Sequence, residues 1–329
     1  LEYKDKLYFA PLRAKEIGVF NKKSRAFSKI AFEKENIGSL EGDTGWNFSS
    51  AYQYGESIYF IPHQRTFILK WNLKTETIDF LSDWYKSMQE NNIDTGTSLF
   101  FRTCRKENVV YAPFNWINYV MAFNLETEQA EVIRLGEGDA GYADICYDGR
   151  KFWMAPLKGR KILQWDEKEN VCEGYRIASE QTESFLFWGC EYFDGEVYFF
   201  PNEYNKILKV DVKDGAAKCL KEIAVLSDVN RDILGSHYTY CKADPCHMMT
   251  YDKDGFLSEY KKGKGRVRRE PLRISPNGKA DLKKFLFDLR NAYCEQENEV
   301  LSETVFFLLD DYIRHMTDVA QNRKENPIE

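Results

Sequence analysis

What this chain has little of bounds what it can be. No apolar run in its 329 residues approaches the roughly 18 that a membrane-spanning helix needs. It contains no Cys-x-x-Cys pair. Its eight cysteines, at 104, 146, 172, 190, 219, 241, 246 and 294, are spread along the chain rather than set at metal-ligand spacing. Disulfide frameworks belong mainly to small secreted chains, and the opening residues do not read as a signal peptide. The expectation is therefore free, buried thiols in a reducing compartment, with a cytoplasmic location. Histidines number four, at 63, 237, 247 and 315, again without ligand spacing, so no metal and no cofactor is expected. Cys246 and His247 are neighbours on an expected strand, point to opposite faces and form no dyad. Neither a Gly-x-Ser-x-Gly elbow, a Walker loop nor a Gly-x-Gly-x-x-Gly turn occurs. Acidic and basic residues nearly balance, 52 against 46, for a net charge of −6. That balance disfavours general attraction to nucleic acid or to an anionic membrane.

What the chain has is a repeat. Short β-forming runs that end in proline recur as LYFAP at 7–11, IYFIP at 58–62, VVYAP at 109–113, FWMAP at 152–156 and VYFFP at 197–201. After each comes a short polar loop and a second strand. In it a large apolar residue precedes an Asn or Asp, at Asn21, Asn72, Asn124, Asp166 and Asp211. Those side chains can accept nearby backbone N–H bonds and so start a tight hairpin. Asp148-Gly149 and Asp194-Gly195 are further hairpin signals. A sixth unit over 238–274 has lost the proline but keeps four short segments.

Repetition at 43 to 51 residues, built from short strands, is the pattern of a β-propeller. The fold expected is all-β: a six-bladed β-propeller of four-stranded blades over 1–274, followed by a C-terminal helical hairpin over 275–329. Blades are placed at about 2–36, 46–83, 97–135, 141–178, 185–226 and 236–274. Residues 1–5 align with 190–195 and read as the tail of a truncated first strand, so a native polypeptide extending upstream of Leu1 is expected. Residues 281–290 and 302–313 carry apolar positions at helical spacing. They are expected to dock on the propeller or to form a dimer or partner contact.

On these residues the chain resembles six-bladed propellers of the broad kelch-like and NHL-like kind. It departs from kelch repeats in lacking their paired glycines, and its Trp165-Asp166 dipeptide lacks the Gly-His partner of WD repeats. The resemblance implies an architecture; propellers host lyases, hydrolases, sugar binders and scaffolds alike.

In such an architecture the loops that lead into the first strand of each blade share a face with the loops after each proline. Ligands usually bind there, where loops converge over rigid sheets. Asp43, Asp94 and Asp139 each begin an Asp-x-Gly step before a first strand. Turn chemistry accounts for them, and an acidic arc at a channel mouth is compatible with it. The post-proline loops carry His63 and Arg65, Asn115 and Trp116, Arg160, and Asn205, differing from blade to blade. Arg and Asn suit carboxylate, phosphate or sugar hydroxyls, while Trp46 and Trp116 suit stacking on a flat ring or simple rim packing. The leading reading is a non-catalytic propeller that binds a carbohydrate, a small anionic ligand or a protein partner at that face. The alternative is a hydrolase or lyase using the same carboxylates, with His63 as acid or base. The dense basic run at 261–269 is read as charge that guards an outer strand edge, with an anionic partner as the lesser reading.

Overall fold

The computed structural model of the chain describes residues 1–12, 14–32, 38, 40, 45–138, 140–159, 161–176, 187–201, 206–212, 220–224, 238–243, 246–252 and 256–271. The chain divides into two compact units, Leu1–Val225 and Leu226–Glu329.

Among the described residues the first unit holds five antiparallel four-stranded sheets, each a meander with its strands in chain order. The first sheet is β1 (Glu2–Tyr3), β2 (Lys6–Phe9), β3 (Glu16–Asn21) and β4 (Phe27–Ala31). The second is β5 (Phe48–Tyr54), β6 (Ser57–Pro62), β7 (Ile68–Asn72) and β8 (Ile78–Leu81), and helix α1 (Asp83–Glu90) follows it. The third is β9 (Cys104–Lys106), β10 (Val109–Pro113), β11 (Tyr119–Asn124) and β12 (Ala130–Arg134). The fourth is β13 (Gly141–Tyr147), β14 (Phe152–Lys158), β15 (Lys161–Asp166) and β16 (Val171–Arg176). The fifth is β17 (Phe187–Phe193), β18 (Glu196–Pro201), β19 (Lys206–Asp211) and β20 (Leu220–Ala224). In the second unit β21 (Tyr238–Ala243), β22 (His247–Asp252), β23 (Phe256–Lys261) and β24 (Gly265–Pro271) make one further meander of the same kind.

The proline-ended runs are the second strands, and their alternation explains the packing. Successive side chains of a strand point to opposite faces. Ile58 and Phe60 enter a core shared with Tyr8, Ile17 and Val19 of the first sheet. Tyr59 and Ile61 enter a core shared with Val110 and Met121 of the third. Tyr111 turns the other way, toward Phe152 and Trp165 of the fourth sheet. Trp153 and Ala155 meet Phe199 and Leu208 of the fifth. Each apolar cluster thus lies between two consecutive sheets, which explains why the second strands are apolar on both faces rather than on one.

The Asn and Asp hairpins form as their chemistry dictates. Asn72 Oδ1 accepts the N–H groups of Lys74 and Thr75, each at 3.0 Å. Asn21, Asn124 and Asp166 repeat the pattern in their own hairpins. Asp148 does so with Arg150 and Lys151, both at 2.7 Å, and its other oxygen takes the Trp153 Nε1–H at 2.7 Å.

Two features add to the sequence reading. Helix α1 fills the stretch between the second and third blades, burying Trp84 and Met88 one turn apart against Phe100 and Phe114. At the start of the chain Glu2 pairs with Leu7 and Tyr3 with Lys6. The expected helices at 281–290 and 302–313 lie outside the described residues.

Candidate functional site

The lead-in loops and the post-proline loops of the first unit are stitched together by backbone hydrogen bonds. Asn47 N–H donates to Leu12 O at 2.5 Å, and His63 N–H donates to Asn47 O at 2.7 Å. Leu99 N–H donates to His63 O at 2.6 Å, and Asn115 N–H to Leu99 O at 2.8 Å. Tyr142 N–H closes the series on Phe114 O at 2.9 Å. The post-proline loops of the second and third sheets are therefore each pinned to the lead-in of their own sheet and to that of the next. Proline ends the strand without an N–H of its own; His63, directly after Pro62, and Asn115, two residues after Pro113, supply the donors.

Buried side-chain amides complete this belt. Asn115, fully buried, accepts the Phe101 N–H at 3.1 Å and donates to Ser98 Oγ at 2.9 Å. Gln64 accepts from Trp46 N–H at 3.2 Å and donates to Thr97 O at 2.8 Å. Asn47 donates to Ala14 O at 2.8 Å and accepts from Arg65 Nε–H at 2.7 Å. Asn118 accepts the Tyr142 hydroxyl at 2.7 Å and donates to Leu135 O. Burying such groups costs little only when they are satisfied, as these are.

The belt carries a row of four rings. Trp46 and His63 lie 5.0 Å apart between centroids, His63 and Phe101 4.8 Å, and Phe101 and Trp188 5.8 Å. The rings come from the second, third and fifth sheets or their lead-ins. His63 is buried, and Trp46, Phe101 and Trp188 are half-exposed. His63 donates from Nδ1 to Phe100 O at 2.7 Å. Burial holds its pKa below the usual 6.5, against the opposing effect of that bond. The imidazole is therefore neutral near pH 7 and serves as part of the aromatic wall.

Beside Phe101 stands Arg102, whose Nη1 is 3.8 Å from Asp144 Oδ2. Asp144, on β13, is buried; its oxygens accept the N–H groups of Ile145 at 2.8 Å and Cys190 at 2.9 Å. One carboxylate thus ties β13 to β17 and holds a half-buried guanidinium from the third sheet. Nearby, Thr103 donates from Oγ1 to Ser50 Oγ at 2.9 Å, and Tyr52 OH donates to Thr103 O at 3.0 Å, linking the second and third sheets.

The residues expected from sequence fall into four groups. Trp46 and His63 belong to the aromatic row, and Arg65 is bonded to Asn47, the residue after Trp46. Asp94 and Trp116 lie on the third sheet's loops. Asp94 is exposed and accepts the Gly96 N–H at 2.9 Å; Gly96 takes a φ of +70°, and Trp116 packs over it with its indole N–H on Ser98 Oγ at 2.9 Å. Asn115 lies beneath Phe101. Asp43, Asp139, Arg160 and Asn205 lie outside the described residues, as does His237. Phe101, Arg102, Asp144 and Trp188 did not stand out in the sequence. The available signal was a single charge inside an apolar run, Arg102 after Leu99-Phe-Phe and Asp144 within 142–147.

Consecutive four-stranded meanders that share apolar cores face to face, with β9 and β17 each packed against β13, define a β-propeller. Solved structures agree. The chain is similar to virginiamycin B lyase from Staphylococcus aureus, at 10% identity and a TM-score of 0.56, over 82% of each chain. It is similar to a streptogramin B lyase at 12% identity and a TM-score of 0.56, over 82% of this chain and 80% of that one. It is similar to the β-propeller domain of Swd1 from Myceliophteria thermophila at 12% identity and a TM-score of 0.52, over 82% of this chain and 84% of that one. Identities this low carry the fold alone. No protein-family model and no curated protein matches the sequence.

Proposed function

We propose that this chain is a six-bladed, non-catalytic binding propeller whose ligand is a carbohydrate or a small anionic molecule. The observation that carries the reading is the aromatic row. Three half-exposed rings on rigid, hydrogen-bonded loops offer faces for stacking, and Arg65 and Arg102 stand beside them as anion-directed donors. In this reading Trp46, Phe101 and Trp188 make apolar contact, and Arg102, aimed by Asp144, meets a carboxylate, phosphate or hydroxyl cluster. His63 and Asn115 position the rings. Asp94 and Trp116 form the rim, with Asp43, Asp139, Arg160 and Asn205 as further contacts from loops of the same kind.

His63 is buried within the row and bonded through Nδ1 to Phe100 O, which suits a residue that positions the rings. Two of the similar structures are lyases and one belongs to a mitotic checkpoint complex, so a reaction and a protein partner are the outcomes to test against. The chain is incubated with panels of glycans and of small organic anions while binding and product formation are both followed. We expect saturable binding without turnover, weakened roughly tenfold or more by Trp188→Ala. Turnover that disappears in His63→Gln would reverse the assignment to an enzyme. We further propose a cytoplasmic location and a helical hairpin over 275–329 that docks or dimerises; the mass of the chain with and without those residues tests the latter.

A further inference from the structure

Tyrosines of two second strands, Tyr59 and Tyr111, latch the second sheet to the third and the third to the fourth, at the ends remote from the aromatic row. Tyr59 OH donates to Glu128 Oε1 at 2.7 Å, in the last hairpin of the third sheet. Tyr111 OH donates to Glu167 in the corresponding hairpin of the fourth. Opposite each tyrosine, on the third strand, one position faces the same space: Val19 beside Tyr8, Lys70 beside Tyr59, Ala122 beside Tyr111, and Lys209 beside Tyr198.

Lys70 shows what that space accepts. Its alkyl chain lies between the second and third sheets, only 19% exposed. Its ammonium is 2.6 Å from Glu128 and 4.0 Å from Asp79, the residue paired with it on the fourth strand. In the third sheet both carboxylates are kept: Glu131 pairs with Ala122 as Asp79 pairs with Lys70, and Glu167 takes the place of Glu128. The lysine is not kept. Ala122 leaves a cleft of about 540 Å³, walled by Val109, Tyr111 and Ile133 of the third sheet and by Trp165 of the fourth. Lys106 reaches Glu167 from the first strand instead, and so leaves the alkyl path open. Among the described residues Glu131 has no cationic partner, and its side chain is exposed at the cleft. The volume is that of a small-molecule site.

We propose that this inter-sheet cleft binds a primary alkylammonium group, the ligand's methylenes following the path that Lys70 takes one sheet earlier and its ammonium meeting Glu131 and Glu167. Apolar walls ending in carboxylates suit such a chain and disfavour a neutral or anionic one. A free diamine and a lysine side chain of another protein share this chemistry. Separate titrations with 1,5-diaminopentane and with Nα-acetyl-lysine amide distinguish them, and 1-pentanol serves as the uncharged control.

The experiment measures these titrations by calorimetry and by amide chemical shifts on the full chain. Saturable binding of at least one amine, none of the alcohol, and shifts confined to the cleft support the proposal. Ala122→Lys is expected to fill the cleft from within and abolish binding. Ala122→Gln, carrying the residue that the fourth sheet has opposite Trp153, is the milder filler if the lysine variant fails to fold. Glu131→Gln is expected to weaken binding roughly tenfold. The proposal is overturned if neither amine binds, if the alcohol binds equally well, or if a folded filler variant binds amines as the native chain does.

Discussion

The carboxylate of Asp144 accepts the backbone N–H of Cys190 at 2.9 Å, across the boundary between the fourth and fifth sheets. A second bond, from Ile145 N–H at 2.8 Å, and the Arg102 guanidinium at 3.8 Å fix the same side chain. Removing it strands a buried donor and a half-buried cation. We expect Asp144→Ala to lose about 2–4 kcal/mol in denaturant unfolding. Arg102→Gln should cost far less stability while weakening ligand binding. Equal stability of Asp144→Ala and the native chain would remove Asp144 from this role.

Gly141 tests the belt. A Cβ at this position would fall 1.9 Å from the carbonyl oxygen of Asn115, a backbone atom that cannot swing away. Gly141→Ala is expected to destabilise by about 2 kcal/mol or more and to perturb Phe101 through Asn115. Gly45→Ala meets no atom within 4 Å; its φ of +80° leaves a smaller, purely conformational cost of about 1 kcal/mol. Comparing the two midpoints separates close approach from backbone strain.

The Tyr59–Glu128 latch makes part of the stability pH-dependent. Burial raises the Glu128 pKa, but hydrogen bonds from Lys70 and Tyr59 outweigh it and leave the carboxyl below its usual 4.5. A depressed folded value means that the contribution is complete above 4.5 and is lost as pH falls through the folded value. Glu128→Gln should therefore cost about 1 kcal/mol at neutral pH, the pair being partly exposed, and progressively less as pH falls below 4.5. A cost that does not change with pH would show that the charge is not involved.

Thiol reactivity offers a fourth test. Burial pushes the Cys104 thiol up to about 12 and that of Cys190 to about 11, and raises Cys146 well above its usual value. Thiolate is the reactive form, so brief alkylation of the native protein at pH 8 should spare these three and label exposed Cys246. Rapid labelling of Cys190 in the folded chain would contradict the burial described for the sheet interior.

How legible this molecule is from its sequence depends on the range of the interactions. Asn72 and Asn124 could be read as hairpin residues because their partners lie two and three positions away. The proline-ended strands could be read because a short run of β-formers stopped by proline is a local pattern, and it recurs. Helix α1 could not: eight residues with only Trp84 and Met88 buried give too short a periodic signal. Phe101, Arg102 and Trp188 meet only once the third, fourth and fifth sheets are packed, and no local pattern encodes that meeting. His63 and Asn115 were chosen for their chemistry and loop position, both visible in sequence; their burial, which sets their part in the site, is not.

The central claim is that ligand engages the row from Trp46 to Trp188. Fluorine NMR of the chain labelled with 5-fluorotryptophan, with signals assigned by single Trp→Phe variants, reads this directly during titration with a ligand from the binding panel. The resonances of Trp46 and Trp188 should move together, while those of Trp153 and Trp165, fully buried between sheets, stay in place. Saturable binding that leaves both Trp46 and Trp188 unmoved would contradict the account.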